Sequence, residues 1–87
     1  MREAELLNAL AQGRNGVQVN LTRTYATVTT LYAPSARGTG KTLMEAALNC
    51  VHDLSATLNK VPQCRELIPE VVQALEDYDQ HSIGLQI

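Results

Sequence analysis

The chain has no tryptophan or phenylalanine and only three tyrosines among its 87 residues. Its core must therefore be built from aliphatic side chains. Leucine, isoleucine and valine supply about a quarter of the residues and the formal net charge is −2, a composition typical of folded rather than disordered chains. The length predicts one small domain over residues 1–87.

Long apolar runs are also missing. No stretch approaches the roughly 18 consecutive apolar residues of a membrane-spanning helix, and the charged N-terminus lacks the apolar region of a signal peptide. The two cysteines, Cys50 and Cys64, are too few for a disulfide scaffold. We therefore expect a cytoplasmic protein with reduced thiols and no membrane partner.

Two sets of polar residues contain the types used in metal binding or catalysis. The first set is Cys50, His52, Cys64 and His81. Cys50 and His52 point to nearly opposite sides of a predicted helix, which does not suit a shared metal ion. The second set, Asp79, His81 and Ser82, lies too close together in sequence to form a catalytic triad. We predict no metal, no cofactor and no enzymatic activity.

The first half of the chain predicts one helix followed by a β segment. Apolar residues recur at helical spacing within 2–12, and Gly13 is placed to end that helix. Residues 17–33 are rich in threonine and β-branched residues with alternating polarity, and the apolar phase shifts after Arg23. One strand of this length would span about 53 Å at roughly 3.3 Å per residue, whereas a domain of this size is roughly 30 Å across. The segment is therefore two strands, or a long bulged ribbon that pairs with another subunit.

The second half predicts two helices. Thr42 and Glu45 form a capping box, and an apolar stripe continues from there to about Asn59. Pro62 ends this helix, and a second stripe follows, in which Pro69 either starts the helix or kinks it. We expect an antiparallel helical hairpin and a short last strand over 83–87, where apolar residues alternate. The fold class is α+β, with a small sheet completed by homo-oligomerisation.

Charge is distributed unevenly along the chain. No acidic residue lies between Glu5 and Glu45, and this segment carries a charge of +4, whereas residues 45–87 carry −5. The basic residues of the segment are Arg14, Arg23, Arg37 and Lys41. Tyr25 would share a strand face with Arg23, and such a pair suits an acidic partner, a phosphate or a base.

Residues 35–42, Ser-Ala-Arg-Gly-Thr-Gly-Lys-Thr, lie between a predicted strand and a predicted helix. This stretch resembles the Walker A loop of P-loop nucleotidases, although Ser35 stands where the motif has its first glycine. The resemblance implies an anion-binding loop in which backbone amides and Lys41 would hold a phosphate. The candidate binding residues are Arg14, Arg23, Tyr25, Arg37, Gly38, Gly40, Lys41 and Thr42.

Three hypotheses for function remain open. The first is a non-enzymatic interaction module, a homo-oligomeric adaptor or inhibitor that binds a protein partner, similar in profile to small phage-encoded inhibitors. The second is binding of a nucleotide, another anion or nucleic acid through residues 14–41. A form of this second hypothesis is a strand-helix-helix DNA-binding protein that resembles ribbon-helix-helix repressors, with residues 24–33 as the ribbon. The third is an enzyme or enzyme subunit of unrecognised type.

Overall fold

The computed structural model describes the backbone of residues 2–86 and the side chains of residues 4–78. Within that part, helices accompany a three-stranded antiparallel sheet, which confirms the predicted α+β class. The elements in chain order are α1 (Arg2–Leu10), β1 (Val17–Leu21), β2 (Ala26–Thr30), β3 (Arg37–Gly40), α2 (Leu43–Lys60), a 3₁₀ helix (Pro62–Leu67) and α3 (Pro69–Gln86). No helix among the described residues has the length and apolar character needed to span a membrane.

The Thr-rich β segment is two strands joined by a tight turn. The turn is held by Thr22, whose backbone amide donates to the carbonyl oxygen of Tyr25 at 2.9 Å. The Thr22 hydroxyl also accepts a hydrogen bond from the Tyr25 amide at 3.1 Å. A threonine side chain thus makes the turn that Asn-Gly pairs commonly make in hairpins. With a Cα radius of gyration of 12.4 Å, the domain is too small for one straight strand over the whole segment.

The strand order is β1-β2-β3, so β2 lies at the centre and is hydrogen-bonded on both sides. Residues 24–33 therefore cannot act as a free intersubunit ribbon of the ribbon-helix-helix type, since their strand has no open edge. The third strand is also not the predicted one. α3 continues through Gln86 where a strand over 83–87 was expected, and Ile87 lies outside the described residues.

The second half of the chain begins as predicted. Thr42 caps α2, and its hydroxyl accepts from the Glu45 amide at 3.1 Å. Pro69 is the first residue of α3 rather than a kink within it. The predicted α2–α3 hairpin is not formed as expected, because α3 packs mainly against α1, which also contacts α2. Leu6 of α1 lines the same cavity as Val51 of α2 and Val72 of α3.

All the helices lie on one side of the sheet. The inward side chains of β2, Ala26, Val28 and Thr30, are buried beneath them. The hydroxyl of Thr30 accepts from the Ala36 amide at 2.8 Å, which satisfies this buried polar group. The largest fully buried side chains are aliphatic apart from one cysteine: Leu6, Leu10, Val28, Cys50, Leu54, Ile68 and Val71.

Candidate interaction surfaces

The side of the sheet that faces away from the helices is polar and solvent-accessible. Its residues pair across the strands, with Gln18 opposite Thr29 and Asn20 opposite Thr27 between β1 and β2. Between β2 and β3, Thr29 pairs with Arg37 and Thr27 pairs with Thr39. We call this surface, from Gln18 and Asn20 across to Arg37 and Thr39, the outer face.

The strands of the outer face and their connecting turns contribute no carboxylate, because β1, β2 and β3 all lie between Glu5 and Glu45. One carboxylate from another element, Asp53 of α2, reaches the edge of β3 beside Arg37. Basic residues lie at the two ends of the outer face. Arg23 is in the β1–β2 turn and Lys41 follows β3, where the register of Ala26 with Gly40 places Lys41 level with exposed Tyr25. Arg37 begins β3 at the opposite end, about 13 Å from Lys41 at roughly 3.3 Å per residue.

The structure therefore separates the predicted basic residues into two groups. Arg23, Tyr25 and Lys41 belong to the turn end of the sheet, although Arg23 lies in the turn and not on a strand face with Tyr25 as expected. Arg14 lies in the α1–β1 connection, which is tied to the opposite end because the Leu31 amide donates to the Gly16 carbonyl at 3.0 Å. The face is thus basic at both ends and polar between them.

The glycine-rich stretch forms strand β3, and the expectation that it is a loop is wrong. A β-carbon built on Gly38 would lie 2.1 Å from the carbonyl oxygen of Ala46 and 2.1 Å from the amide nitrogen of Cys50. One built on Gly40 would lie 2.7 Å from the side chain of Glu45. These glycines are needed because the backbone of α2 lies directly against the strand.

Two side chains of α2 reach past the face of β3 to its outer edge. The hydrogen bond from the Thr30 amide to the Ala36 carbonyl, at 2.9 Å, sets the β2–β3 ladder so that the backbone groups of Arg37 and Thr39 point away from β2. Asp53 accepts from the Arg37 amide at 3.0 Å, and Asn49 donates to the Thr39 carbonyl at 2.8 Å. The edge of β3 is therefore partly satisfied by α2. Because a carboxylate already holds the Arg37 amide, this segment does not offer the free amides of a phosphate loop.

Strand β1 at the other edge is arranged differently. Hydrogen bonds from the Leu31 amide to Gly16 and from the Thr22 amide to Tyr25 flank the strand and fix the alternation of its ladder. The backbone groups of Val17, Val19 and Leu21 consequently point to the open edge, and in the described part of the chain no hydrogen bond satisfies them. Edge strands of this kind are ready to pair with another chain.

The side chains of β1 are also poorly covered. Val17, Val19 and Leu21 pair with Thr30, Val28 and Ala26 and so face the helix side of the sheet. Nevertheless 38% of Val19 and 67% of Leu21 are exposed, because α2 covers β3 and β2 instead. An open groove lies beside the other end of β1, lined by Ala4, Glu5, Leu7, Asn8, Ala11 and Val17. The sequence predicted the apolar face of β1 but not that this face is exposed. The small number of predicted helices could have indicated that they do not cover the whole sheet.

Cys50 is a buried free thiol and Cys64 is a half-buried one. Burial, followed by the negative charge of Asp53, raises the pKa of the Cys50 thiol to about 11. Cys50 is therefore a protonated core residue at neutral pH and a poor nucleophile. We expected that Asp79, His81 and Ser82 do not form a catalytic triad. Their side chains lie outside the described residues.

Comparison with known proteins gives no relative. No protein-family model matches the chain, and neither a curated protein nor a solved structure shows significant similarity to it. Function must therefore be inferred from the geometry of the surfaces themselves.

Proposed function

We propose that this chain is a non-enzymatic interaction module that binds an acidic protein surface through the outer face of its sheet. The observation that carries the proposal is the charge pattern. The sheet and its turns contain only basic charges, while the acidic residues of the C-terminal half belong to α2, the 3₁₀ helix and α3. An acidic partner would thus be attracted to one side of the domain and repelled from the other.

The chemistry of the outer face favours a protein partner over nucleic acid. Proteins that bind nucleic acid through phosphates commonly make about 6–10 such contacts, whereas the segment that supplies the sheet has four basic residues. Those four are divided between two ends of the face rather than aligned along one track. Tyr25, which is 45% exposed, is the one aromatic on this face, which gives little surface for stacking bases.

The face also has the components of a protein interface. Aromatic and arginine side chains contribute strongly to protein interfaces, and Tyr25 and Arg37 supply one of each at opposite ends. Between them, the hydroxyls of Thr27 and Thr39 lie 3.5 Å apart and remain available to further hydrogen-bond partners. The polar composition of the face is compatible with a non-obligate interface, which as a whole is about as polar as the rest of a protein surface.

The test is a peptide-display selection on the immobilised full chain. We expect acidic peptides to be enriched, and we expect the Arg37→Glu plus Lys41→Glu variant to weaken their binding at least tenfold. The matched control is Lys60→Glu plus Arg65→Glu, which reverses two charges on the helical side and should change binding less than threefold.

Two results would contradict the proposal. One is a selection without acidic bias whose peptides bind both charge-reversal variants equally. The other is tight, strongly salt-dependent binding of a duplex or single-stranded oligonucleotide without any enriched peptide, which would assign the face to nucleic acid.

A further inference from the structure

We infer that the open edge of β1 pairs antiparallel with the β1 strand of a second copy, giving a six-stranded sheet with all helices on one side. This goes beyond the proposed function, since it concerns an edge of the sheet and not its outer face. Of the two edge strands, β1 has no outward backbone group with a hydrogen-bond partner in the described part of the chain, whereas the Arg37 amide and the Thr39 carbonyl of β3 are both bonded to α2. Pairing with another strand would satisfy the outward groups of β1.

The sequence of β1 is self-complementary in one register. When Val19 lies on a twofold axis, it is opposite Val19 of the second copy, and Val17 is opposite Leu21 of the second copy. Every side-chain contact on the helix side is then apolar. On the outer side, Gln18 meets Asn20, and two amide side chains can hydrogen-bond. A shift of the axis to Gln18 or Asn20 would instead place a polar residue opposite Leu21 or Val17.

The same register brings the most exposed apolar side chain next to an open groove. Leu21 of the second copy lies level with Val17, on the side where Val17, Leu7 and Ala11 line the groove beside α1. The twofold axis repeats this contact, so each Leu21 enters the groove of the other copy. A partner of unrelated sequence would not reproduce both the strand pairing and the paired groove contact.

β1 also lacks the features that keep edge strands apart. Natural edge strands are commonly protected by charged residues, proline or a bulge, and β1 has none of these over Val17–Leu21. β3 shows the contrasting solution, since Asp53 and Asn49 of α2 occupy its edge. Because the contact consists of two five-residue strands and one leucine at each end, we expect a weak dimer with a dissociation constant on the order of tens of micromolar.

The test is sedimentation velocity of the full chain across a concentration range of about 1 to 200 μM, in wild type and two matched variants. We expect a monomer–dimer equilibrium in the wild type and at least a tenfold weaker dimer in Leu21→Lys. The control is Leu67→Lys, the same substitution at a leucine that is 63% exposed in the 3₁₀ helix, and it should leave the equilibrium unchanged. Circular dichroism of each variant verifies that it is folded.

The inference is overturned if the wild type remains monomeric at the highest concentration. It is also overturned if Leu67→Lys dissociates the dimer while Leu21→Lys does not. Neither result bears on acidic peptide binding, because the charge-reversal variants of the outer face leave β1 intact.

Discussion

The two edge strands of the sheet meet the helices in opposite ways. β3 has glycine at its inward positions, so α2 packs against its backbone, and α2 side chains bond to its outer edge. β1 has valine and leucine at its inward positions, yet no helix covers most of them and its outward backbone groups remain free among the described residues. In a domain this small, one long helix covers one edge, and the other edge is left open.

The largest expected effect is at Gly38, where β3 and α2 are closest. Gly38→Ala should lower the free energy of unfolding by about 3 kcal/mol or more, because the added methyl group meets rigid helix backbone. Urea denaturation followed by circular dichroism measures the change. Thr39→Ala, at the neighbouring exposed position, should cost less than about 1 kcal/mol. Equal stability of the two variants would show that α2 is not packed against the backbone of β3.

The next effect concerns Cys50, buried between α2 and the sheet. Its pKa is raised from 9.0 to about 11, so the unfolded chain releases this proton at lower pH than the folded chain. The contribution to stability is therefore complete below pH 9 and is lost as the pH rises from 9 towards 11, by about 3 kcal/mol. Burial also raises the pKa of Tyr32, which adds a loss of the same sign above pH 10.

Thermal melts of wild type and Cys50→Ala between pH 7 and pH 11 measure this effect. The variant is expected to start less stable and to lose less stability as the pH rises. Parallel pH curves for the two proteins would contradict a buried, neutral thiol at this position.

Asp53 provides a smaller test of the covered edge. Asp53→Ala should cost about 1 kcal/mol, because the Arg37 amide loses its acceptor at the beginning of β3. Asp53→Asn keeps an acceptor oxygen and should cost less than half of that. Measured amide exchange at Arg37 should accelerate in the alanine variant. An unchanged exchange rate would mean that Asp53 does not hold the edge.

The smallest effect is expected at the open edge. Leu21→Ala should change the free energy of unfolding by less than about 0.5 kcal/mol at 1 μM protein, because the side chain is 67% exposed in the monomer. Leu54→Ala, which removes a fully buried leucine, should cost about 2–5 kcal/mol in the same assay. A large loss at Leu21 would indicate that β1 is covered within one chain.

Local signals predicted most of the elements. The Thr42 cap, the breaks at Pro62 and Pro69 and the phase shift after Arg23 are properties of short segments, and each appears in the structure. The apolar alternation of residues 83–87 led to a wrong strand, because α3 continues through Gln86. A short alternating segment does not distinguish a strand from the end of a helix.

The role of residues 35–42 could not be predicted from their own sequence. Two glycines near a helix start suit a phosphate loop and a strand under a close helix equally well. Whether the stretch forms a loop or a strand depends on Ala46 and Cys50, whose backbone lies where a β-carbon at Gly38 would be. Similarly, nothing in the local sequence distinguishes Asp53 from an ordinary exposed helix residue, because its bond to the Arg37 amide joins residues 16 apart. The sequence locates the basic residues within 14–41, but their division between two ends of the sheet follows from strand register.

The central claim is that β1 is the open edge of the sheet and that a second copy covers it. Residue-resolved amide hydrogen exchange at low and high protein concentration tests it most directly. We predict that the amides of Val17, Val19 and Leu21 exchange rapidly at about 5 μM and become protected at about 500 μM, while the Arg37 amide is protected at both. Concentration-independent exchange of the three β1 amides, whether rapid or slow, would contradict the claim.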